Sequence, residues 1–288
     1  MTSRETTLLD SSLKSQYGEL LKPINSRQIY NCKVIHCGDY TQLYFYDDIK
    51  SKKVDNKDKP IFKSIDKIDT DNLVKEKNKN ELKTILVSNA YRSNFNCQRI
   101  CKANADVWES FITLTFKENL KDIAVANRKF DYFVSNVRKK KKDFKYIAVP
   151  EFQKRGAVHY HLLSNLSKED TDIIVKQKGS KDTDNFFDVK YWNKGFSAVD
   201  FIKSDYKKIF SYISKYMTKD IDNRLFGKKR YFFSQNLDQP KTSYLNLDNP
   251  KDFEYFVYLT QNNNVEYESE YLDNYTKNKI KFLELKKS

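Results

Sequence analysis

Two histidines separated by one residue are the first candidates for chemistry in this chain. His159 and His161 flank Tyr160, and they are two of only three histidines among 288 residues. In a β-strand, side chains two positions apart project from the same face, so both imidazoles would point together. Paired imidazoles are common ligands of divalent cations, although many such pairs are purely structural. The pair therefore indicates a candidate metal site.

A carboxylate can be placed beside these histidines from the turn that precedes them. Gly156 suits the left-handed position of a three-residue hairpin loop between two apolar strands. In that register Glu151 lies opposite His159. Two imidazoles and one carboxylate form a facial ligand set that leaves coordination positions open. Thr113 and Thr115 could line the same face from a neighbouring strand, or serve only as β-formers.

A lysine-flanked pair of tyrosines is the second candidate site. Tyr212 and Tyr216 are four residues apart and would share one face of a helix. Lys215 and Lys219 each follow a tyrosine by three residues and flank that face. A free phenol has a pKa near 10, so a nucleophilic tyrosine needs cations nearby, which the lysines and the metal would supply. With 20 tyrosines in the chain, such a pair also arises by chance in helix packing.

The net charge favours a polyanionic partner. Lys and Arg total 53 against 39 Asp and Glu, which gives a formal charge of +14 and a pI near 9.3. Lysines near phosphates release condensed counterions, so the composition suits nucleic acid, although a solvated basic surface has the same composition. No run of about 18 apolar residues is present, and the first residues lack the apolar core of a secretory signal. We therefore expect a cytoplasmic protein that does not associate with membranes.

The cysteines do not indicate a disulfide scaffold or a zinc site. Four are present, Cys32, Cys37, Cys97 and Cys101, and their spacings fit common zinc patterns poorly. We expect reduced and mostly buried thiols.

The elements that must position these residues follow from apolar periodicity and turn residues. Strict alternation predicts strands, and three-to-four spacing predicts helices. Ser167 and Asp170 resemble a capping box, which predicts a short helix through Ile174. The remaining predictions are a hairpin over 26–48, a helix from Leu82 towards Trp108, strands over 111–116, 145–153 and 157–163, and helices over 122–142 and 205–219.

This order of elements predicts an α+β fold with helices flanking a central antiparallel sheet. We divide the chain into three segments. Residues 1–85 hold the hairpin and a charged connection, and could extend DNA recognition. Residues 86–240 form the main domain, and residues 241–288 form an appendage that we expect to be helical.

Three motifs in order resemble the HUH superfamily of rolling-circle replication initiators, in the phage and plasmid type with paired tyrosines. FITLTF (111–116) resembles the first motif strand, PEFQKRGAVHYHLL (150–163) the metal-binding motif, and YISKYMTKD (212–220) the tyrosine motif. GKKRYFFSQNL (227–237) resembles the segment that follows in phage and plasmid relatives. The resemblance covers about residues 90–240 and implies a ferredoxin- or RRM-like palm.

The resemblance implies a role for each site residue. His159, His161 and Glu151 would bind Mg²⁺ or Mn²⁺, and Tyr216 would attack the scissile phosphate, with Tyr212 performing a second transfer. Lys219 and Lys215 would stabilise phosphate charge. The implied activity is metal-dependent nicking and rejoining of single-stranded origin DNA through a 5′-phosphotyrosyl intermediate. Because no G-x-x-x-x-G-K-[ST] motif is present, the implied partners are a host helicase and a host DNA polymerase.

Three alternatives remain at the level of the sequence. A transposase or a small conjugative relaxase would use the same chemistry on other DNA. A non-catalytic basic nucleic-acid-binding module would explain the charge but not the convergence of Glu151, His159 and His161. An iron or zinc enzyme acting on a small molecule would explain the ligands but neither the charge nor the tyrosine–lysine helix.

Overall fold

The computed structural model of the chain describes residues 28–52, 79–178, 185–202, 213, 223–225, 228–273 and 276–288. The elements, numbered in chain order, are β1 (Gln28–Cys37), β2 (Tyr40–Lys52), α1 (Lys79–Ala103), β3 (Ser110–Thr115), α2 (Ile123–Lys140), β4 (Tyr146–Phe152), β5 (Val158–Ser164), β6 (Ile174–Lys178), β7 (Asn185–Val189), β8 (Ser197–Phe201), β9 (Phe232–Phe233), β10 (Lys241–Leu245), α3 (Pro250–Gln261), β11 (Asn263–Leu272) and β12 (Lys279–Lys287). Short 3₁₀ turns lie at Ala105–Val107 and Asn223–Leu225. Across these described ranges, no helix is long and apolar enough to span a bilayer.

The chain forms two compact units, and one of them joins the two ends of the sequence. The first unit comprises residues 1–62 and 239–288, and the second comprises residues 63–238. The division expected from the sequence assigned residues 1–85 and 241–288 to separate segments, whereas strands from both pair in one sheet. Strand pairing is long-range, and periodicity along the sequence does not reveal which strands will meet.

The first unit is a five-stranded antiparallel sheet in the order β10-β1-β2-β12-β11. The predicted N-terminal hairpin is confirmed, and Gly38 occupies its turn with φ of 63°. The helical prediction for residues 241–288 is wrong in most of that segment, because α3 is followed by the β11–β12 hairpin. Ile280 and Phe282 of β12 are buried at strand spacing, a pattern obscured in the sequence by the lysines around them.

The second unit carries the fold predicted from the sequence, an antiparallel sheet flanked by helices. Its five strands have the order β8-β3-β5-β4-β9. Strands β3 and β4 are both antiparallel to β5, which lies between them, and α2 connects them. This split β-α-β unit is the arrangement found in ferredoxin-like folds. The α+β fold class is therefore confirmed.

Helix α2 covers one face of this sheet. Asp122 caps its N-terminus by accepting hydrogen bonds from the amides of Ala124 at 2.8 Å and Val125 at 3.2 Å. Phe130, on the buried side of the helix, stacks on Tyr160 of β5 with ring centroids 4.5 Å apart. Apolar contacts of this kind fix which face of β5 is turned towards the helix.

The short helix predicted after Ser167 is absent, and this prediction was wrong. Asp170 does accept a hydrogen bond from the Ser167 amide at 2.8 Å, as in a capping box, but it also binds Lys141 at 3.0 Å. The chain turns and enters β6 at Ile174, which pairs with Val189 of β7. A local capping motif is weaker than burial of two β-branched side chains against a partner strand.

Gly195 is required by a close approach of two backbones. A Cβ atom at this position would lie 2.1 Å from the Thr115 carbonyl oxygen and 2.4 Å from the Lys117 amide nitrogen. We expect Gly195→Ala to destabilise the second unit by about 1–3 kcal/mol or more, because backbone atoms cannot move aside as a flexible side chain can. Thermal unfolding would measure this effect, with Asn193→Ala in the same exposed turn as the control. Equal melting temperatures for the two variants would contradict this packing.

Candidate functional site

The two histidines share the face of β5 that is turned away from α2. Tyr160 points to the helix side, where its hydroxyl donates a hydrogen bond to Asn127 Oδ1 at 2.6 Å. Strand alternation therefore places His159 and His161 together on the other face, with ring centroids 6.5 Å apart. Both imidazoles are largely buried, each residue being 6% exposed.

The predicted hairpin and its register are confirmed. Gly156 has φ of 88°, the left-handed conformation that the three-residue loop requires. Glu151 of β4 pairs with His159 of β5. The carboxylate of Glu151 nevertheless contacts the diagonal neighbour, since its Oε2 lies 2.9 Å from His161 Nε2.

The two Nε2 atoms therefore have different surroundings. His161 Nε2 shares a proton with Glu151, whereas His159 Nε2 is buried with no hydrogen-bond partner in the described part of the chain. A buried ring nitrogen that lacks a partner costs free energy unless a ligand engages it. A divalent cation would satisfy this nitrogen and could replace the proton between His161 and Glu151. The donor set fits Mg²⁺ or Mn²⁺ in its carboxylate and imidazole chemistry.

Two threonines of β3 orient the imidazoles. Thr113 Oγ1 lies 3.2 Å from His161 Nδ1, and Thr115 Oγ1 lies 3.5 Å from His159 Nδ1. A partner on Nδ1 favours the tautomer whose Nε2 lone pair is available, the arrangement typical of metal-binding histidines. The sequence left these threonines as either site-lining or purely structural residues, and the contacts favour the first.

Burial keeps His159 in the form that can bind a metal. Desolvation lowers its pKa to about 4, and the neighbouring His161 contributes to this lowering, against an opposing effect of Glu151. The imidazole is therefore neutral at physiological pH. On the other side of His161, Phe111 stacks against the ring with centroids 5.8 Å apart and restricts its rotation.

The three candidate ligands are adjacent but do not surround one point. Across the ranges that the structure describes, no three His, Cys, Asp or Glu side chains are gathered closely enough to hold a metal ion as they stand. The Glu151 carboxylate is drawn to His161, and the His159 ring lies beyond it. Binding by all three residues would require the carboxylate to turn towards the point between the two imidazoles.

An exposed phenylalanine lies in the same row as these residues, and no pattern in the sequence pointed to it. The Thr115 amide donates a 2.8 Å hydrogen bond to the Phe196 carbonyl, which continues the β3–β8 register by one pair. The row across the sheet is therefore Glu151, His159, Thr115 and Phe196. Phe196 is 64% exposed, an unusual position for a large apolar ring. Only the register between β3 and β8 reveals its place beside the histidines.

The predicted tyrosine site lies outside the described residues. This applies to Tyr212, Tyr216, Lys215 and Lys219 alike. Ile213, the one described residue between 203 and 222, is fully buried. Its burial agrees with the expectation that the apolar side of this segment anchors it.

The cysteines behave as the sequence predicts. All four are free and buried, Cys32 and Cys37 in β1 and Cys97 and Cys101 in α1. Burial raises the pKa of the Cys32 thiol to about 12, which makes it unreactive at neutral pH.

The region that holds this site matches a known protein family. Residues 109–221 match the model of a replication-associated protein family, the one described by the ORF2 protein. This region resembles replication-associated proteins. The match begins just before β3 and includes both histidines, Glu151 and the paired tyrosines.

A curated relative gives the same indication. The chain is 29% identical over 157 residues to the phasyl DNA replicon protein arp of Escherichia coli, which corresponds to 50% of this chain and 55% of the relative. The chain thus spans about half the length of that relative. No solved structure matches the chain. The family match and the relative together support a role in the initiation of DNA replication.

Proposed function

We propose that the protein initiates rolling-circle replication by nicking and rejoining single-stranded origin DNA through a 5′-phosphotyrosyl intermediate. The observation that carries this proposal is the cluster of His159, His161 and Glu151 on one sheet face, inside a region similar to replication-associated proteins. A basic chain of net charge +14 suits the DNA substrate.

The candidate ligands have defined tasks in this proposal. His159 and His161 would hold Mg²⁺ or Mn²⁺ through Nε2, and Glu151 would supply the carboxylate oxygen. When bound, the cation supplies Lewis-acid polarisation of the scissile phosphate. Thr113 and Thr115 hold the imidazole rings in the required tautomer. Phe196, exposed at the end of the same row, offers a ring on which a base beside that phosphate can stack.

The tyrosines would perform the covalent chemistry. The Tyr216 hydroxyl attacks phosphorus and loses its proton, a phenolic O–P bond forms, and the bond from phosphorus to the 3′ oxygen breaks. The 3′ oxygen takes up a proton and leaves as a free hydroxyl. Lys219 and Lys215 would stabilise the negative charge on phosphate. The new ester conserves the energy of the phosphodiester, so Tyr212 or a strand hydroxyl can reverse the cleavage without ATP.

The free 3′-hydroxyl is a primer, which implies a host DNA polymerase and a host helicase as partners. A transposase or a small relaxase would use the same residues. The match to a replication-associated family and to a replicon protein favours the initiator. A binding module without catalysis would not require an imidazole pair and a carboxylate on one face.

The proposal is tested by the covalent intermediate itself. The full chain is incubated with Mn²⁺ and single-stranded origin DNA labelled on the 3′ side of the nick, and the products are separated in SDS. We expect labelled protein with Mn²⁺ and none after treatment with EDTA. Cleavage that leaves no label on the protein would contradict a tyrosine nucleophile.

Thr113→Val should weaken metal binding without unfolding the protein. The substitution keeps the shape of the side chain but removes the hydroxyl that lies beside His161 Nδ1. Loss of such a partner typically lowers metal affinity about 10–100-fold. Titration of Mn²⁺ followed by electron paramagnetic resonance would measure the change. Thr113→Ser retains the hydroxyl and should bind Mn²⁺ like the parent; a similar loss in both variants would refute the orienting role.

A further inference from the structure

The sheet of the first unit has one face packed by a helix and one face of different chemistry. Apolar side chains including Cys32, Val34 and Leu43 form a core with residues of α3. Strand alternation places Lys33 and Tyr44 on the opposite face. Among the described residues of this unit, α3 is the one helix, and its packing leaves that opposite face to side chains of the strands alone.

Aromatic rings cross this face from one edge strand to the other. Each of the five strands contributes at least one ring. Tyr244 of β10 contacts Tyr30 of β1 at 4.6 Å, and Tyr30 contacts Tyr46 of β2 at 5.9 Å. The row continues from Tyr44 of β2 to Phe282 of β12 at 4.9 Å, and from Phe282 to Tyr267 of β11 at 6.1 Å. We call this surface the tyrosine–lysine face.

Lysine side chains lie over these rings. The Nζ atom of Lys52 is 4.4 Å from the Tyr244 ring centre, that of Lys50 is 5.7 Å from Tyr46, and that of Lys33 is 5.8 Å from Tyr44. Each tyrosine therefore offers a flat ring with an ammonium group beside it. Two carboxylates share the face, and both have amide partners: Glu284 accepts from Gln42, and Asp48 accepts from Asn278.

The opposite face treats its charges differently. There, Lys279 pairs with Glu270 at 2.6 Å and Lys281 pairs with Glu268 at 2.6 Å. Cross-strand ion pairs of this kind are the usual way in which an antiparallel sheet compensates its lysines. On the tyrosine–lysine face, the ammonium groups of Lys50 and Lys52 instead lie over π-systems, a contact that keeps their full positive charge for an anion.

We propose that the tyrosine–lysine face binds single-stranded DNA, with bases stacked on its rings and phosphates beside its lysines. Rings with adjacent cations are the two elements of sequence-tolerant single-strand binding. Five strands about 4.8 Å apart span about 19 Å. At about 3.4 Å per stacked nucleotide, this width accommodates about five nucleotides. The choice of ligand rests on the proposed function, but the binding requires neither the metal nor the nucleophile.

The test uses the full chain in EDTA, so that cleavage does not occur. Fluorescence anisotropy measures binding to oligothymidylate of about 20 nucleotides, longer than the footprint of most single-strand sites, and to a duplex of equal length. Tyr44→Leu/Tyr46→Leu should weaken binding to the single strand by about 20-fold or more, because each lost stack costs at least about fivefold. Phe253→Leu, an exposed ring on α3, is the aromatic control and should bind like the parent.

A charge variant provides an independent readout. Lys50→Gln/Lys52→Gln should reduce the slope of log affinity against log salt by about 1.4, since each phosphate contact on a single strand contributes about 0.7. Lys279→Gln/Lys281→Gln removes the same charge from the same sheet on its other face and should leave the slope unchanged. If the tyrosine pair alters folding, as judged by circular dichroism, this lysine comparison decides.

Equal effects of the two lysine pairs would overturn the proposal, because binding would then follow net charge alone. Preference for the duplex would overturn it in favour of double-stranded DNA. His161→Ala should bind oligothymidylate like the parent, which separates this face from the nicking site. A protein that forms no covalent adduct but loses oligothymidylate binding in the tyrosine variant would refute the proposed function and leave this inference standing.

Discussion

Tyr216→Phe is expected to reduce the covalent protein–DNA adduct to background. The substitution removes only the hydroxyl oxygen that would bond to phosphorus, so binding of DNA and metal should persist while the transfer step is lost. The expected effect is total for the adduct, because no bond to the protein can form at this position without the nucleophile. The measurement is the yield of labelled protein in SDS with Mn²⁺ and origin DNA.

Two tyrosine controls make this result specific. Tyr132→Phe changes a tyrosine of α2 that is 57% exposed, and it should form the adduct at the parental level. Tyr212→Phe should still form the first adduct and fail in the second transfer, seen as loss of the rejoined product. If Tyr216→Phe forms the adduct normally and Tyr212→Phe does not, the roles of the two tyrosines are reversed.

His161→Ala should have the second largest effect, a loss of Mn²⁺-dependent nicking of about 10²–10³-fold or more. The imidazole would hold the cation that supplies several kcal/mol of stabilisation in the transition state, and each 1.36 kcal/mol corresponds to about tenfold in rate. The substitution also releases Glu151 from its 2.9 Å contact. His159→Ala should behave similarly, since its buried Nε2 has no other partner in the described part of the chain.

The third histidine is a matched control. His36 lies in the first unit, where its ring contacts Thr41 and Tyr255. His36→Gln should nick at the parental rate and bind the same number of Mn²⁺ ions. Equal metal stoichiometry in the parent and in His161→Ala, measured by calorimetry, would show that the cation binds elsewhere.

The sequence by itself was sufficient for the parts of the site that depend on neighbouring residues. Alternation with a period of two and the left-handed Gly156 predict that Glu151 pairs with His159, and both features are present. The same reasoning places both imidazoles on one face, because Tyr160 between them packs against α2. These predictions succeed because a tight hairpin fixes its own register.

The sequence could not show which side chain takes which partner once the strands are assembled. Glu151 contacts His161 rather than the histidine directly opposite, and the hydroxyls of Thr113 and Thr115 reach the Nδ1 atoms from another strand. Phe196 joins the row only through the β3–β8 pairing. The error over the C-terminal segment has the same origin, since β12 is recognisable only beside β2.

Local periodicity and turn chemistry thus determined the antiparallel α+β fold, the paired-imidazole strand and its opposing carboxylate. The tertiary structure alone decided that the two ends of the chain form one sheet, that rings from all five of its strands meet on one face, and that threonine hydroxyls orient the histidines. The physical reason is that hydrogen bonding between strands is nearly independent of their separation in the sequence. The partners of a strand are therefore selected by burial and packing in the assembled fold.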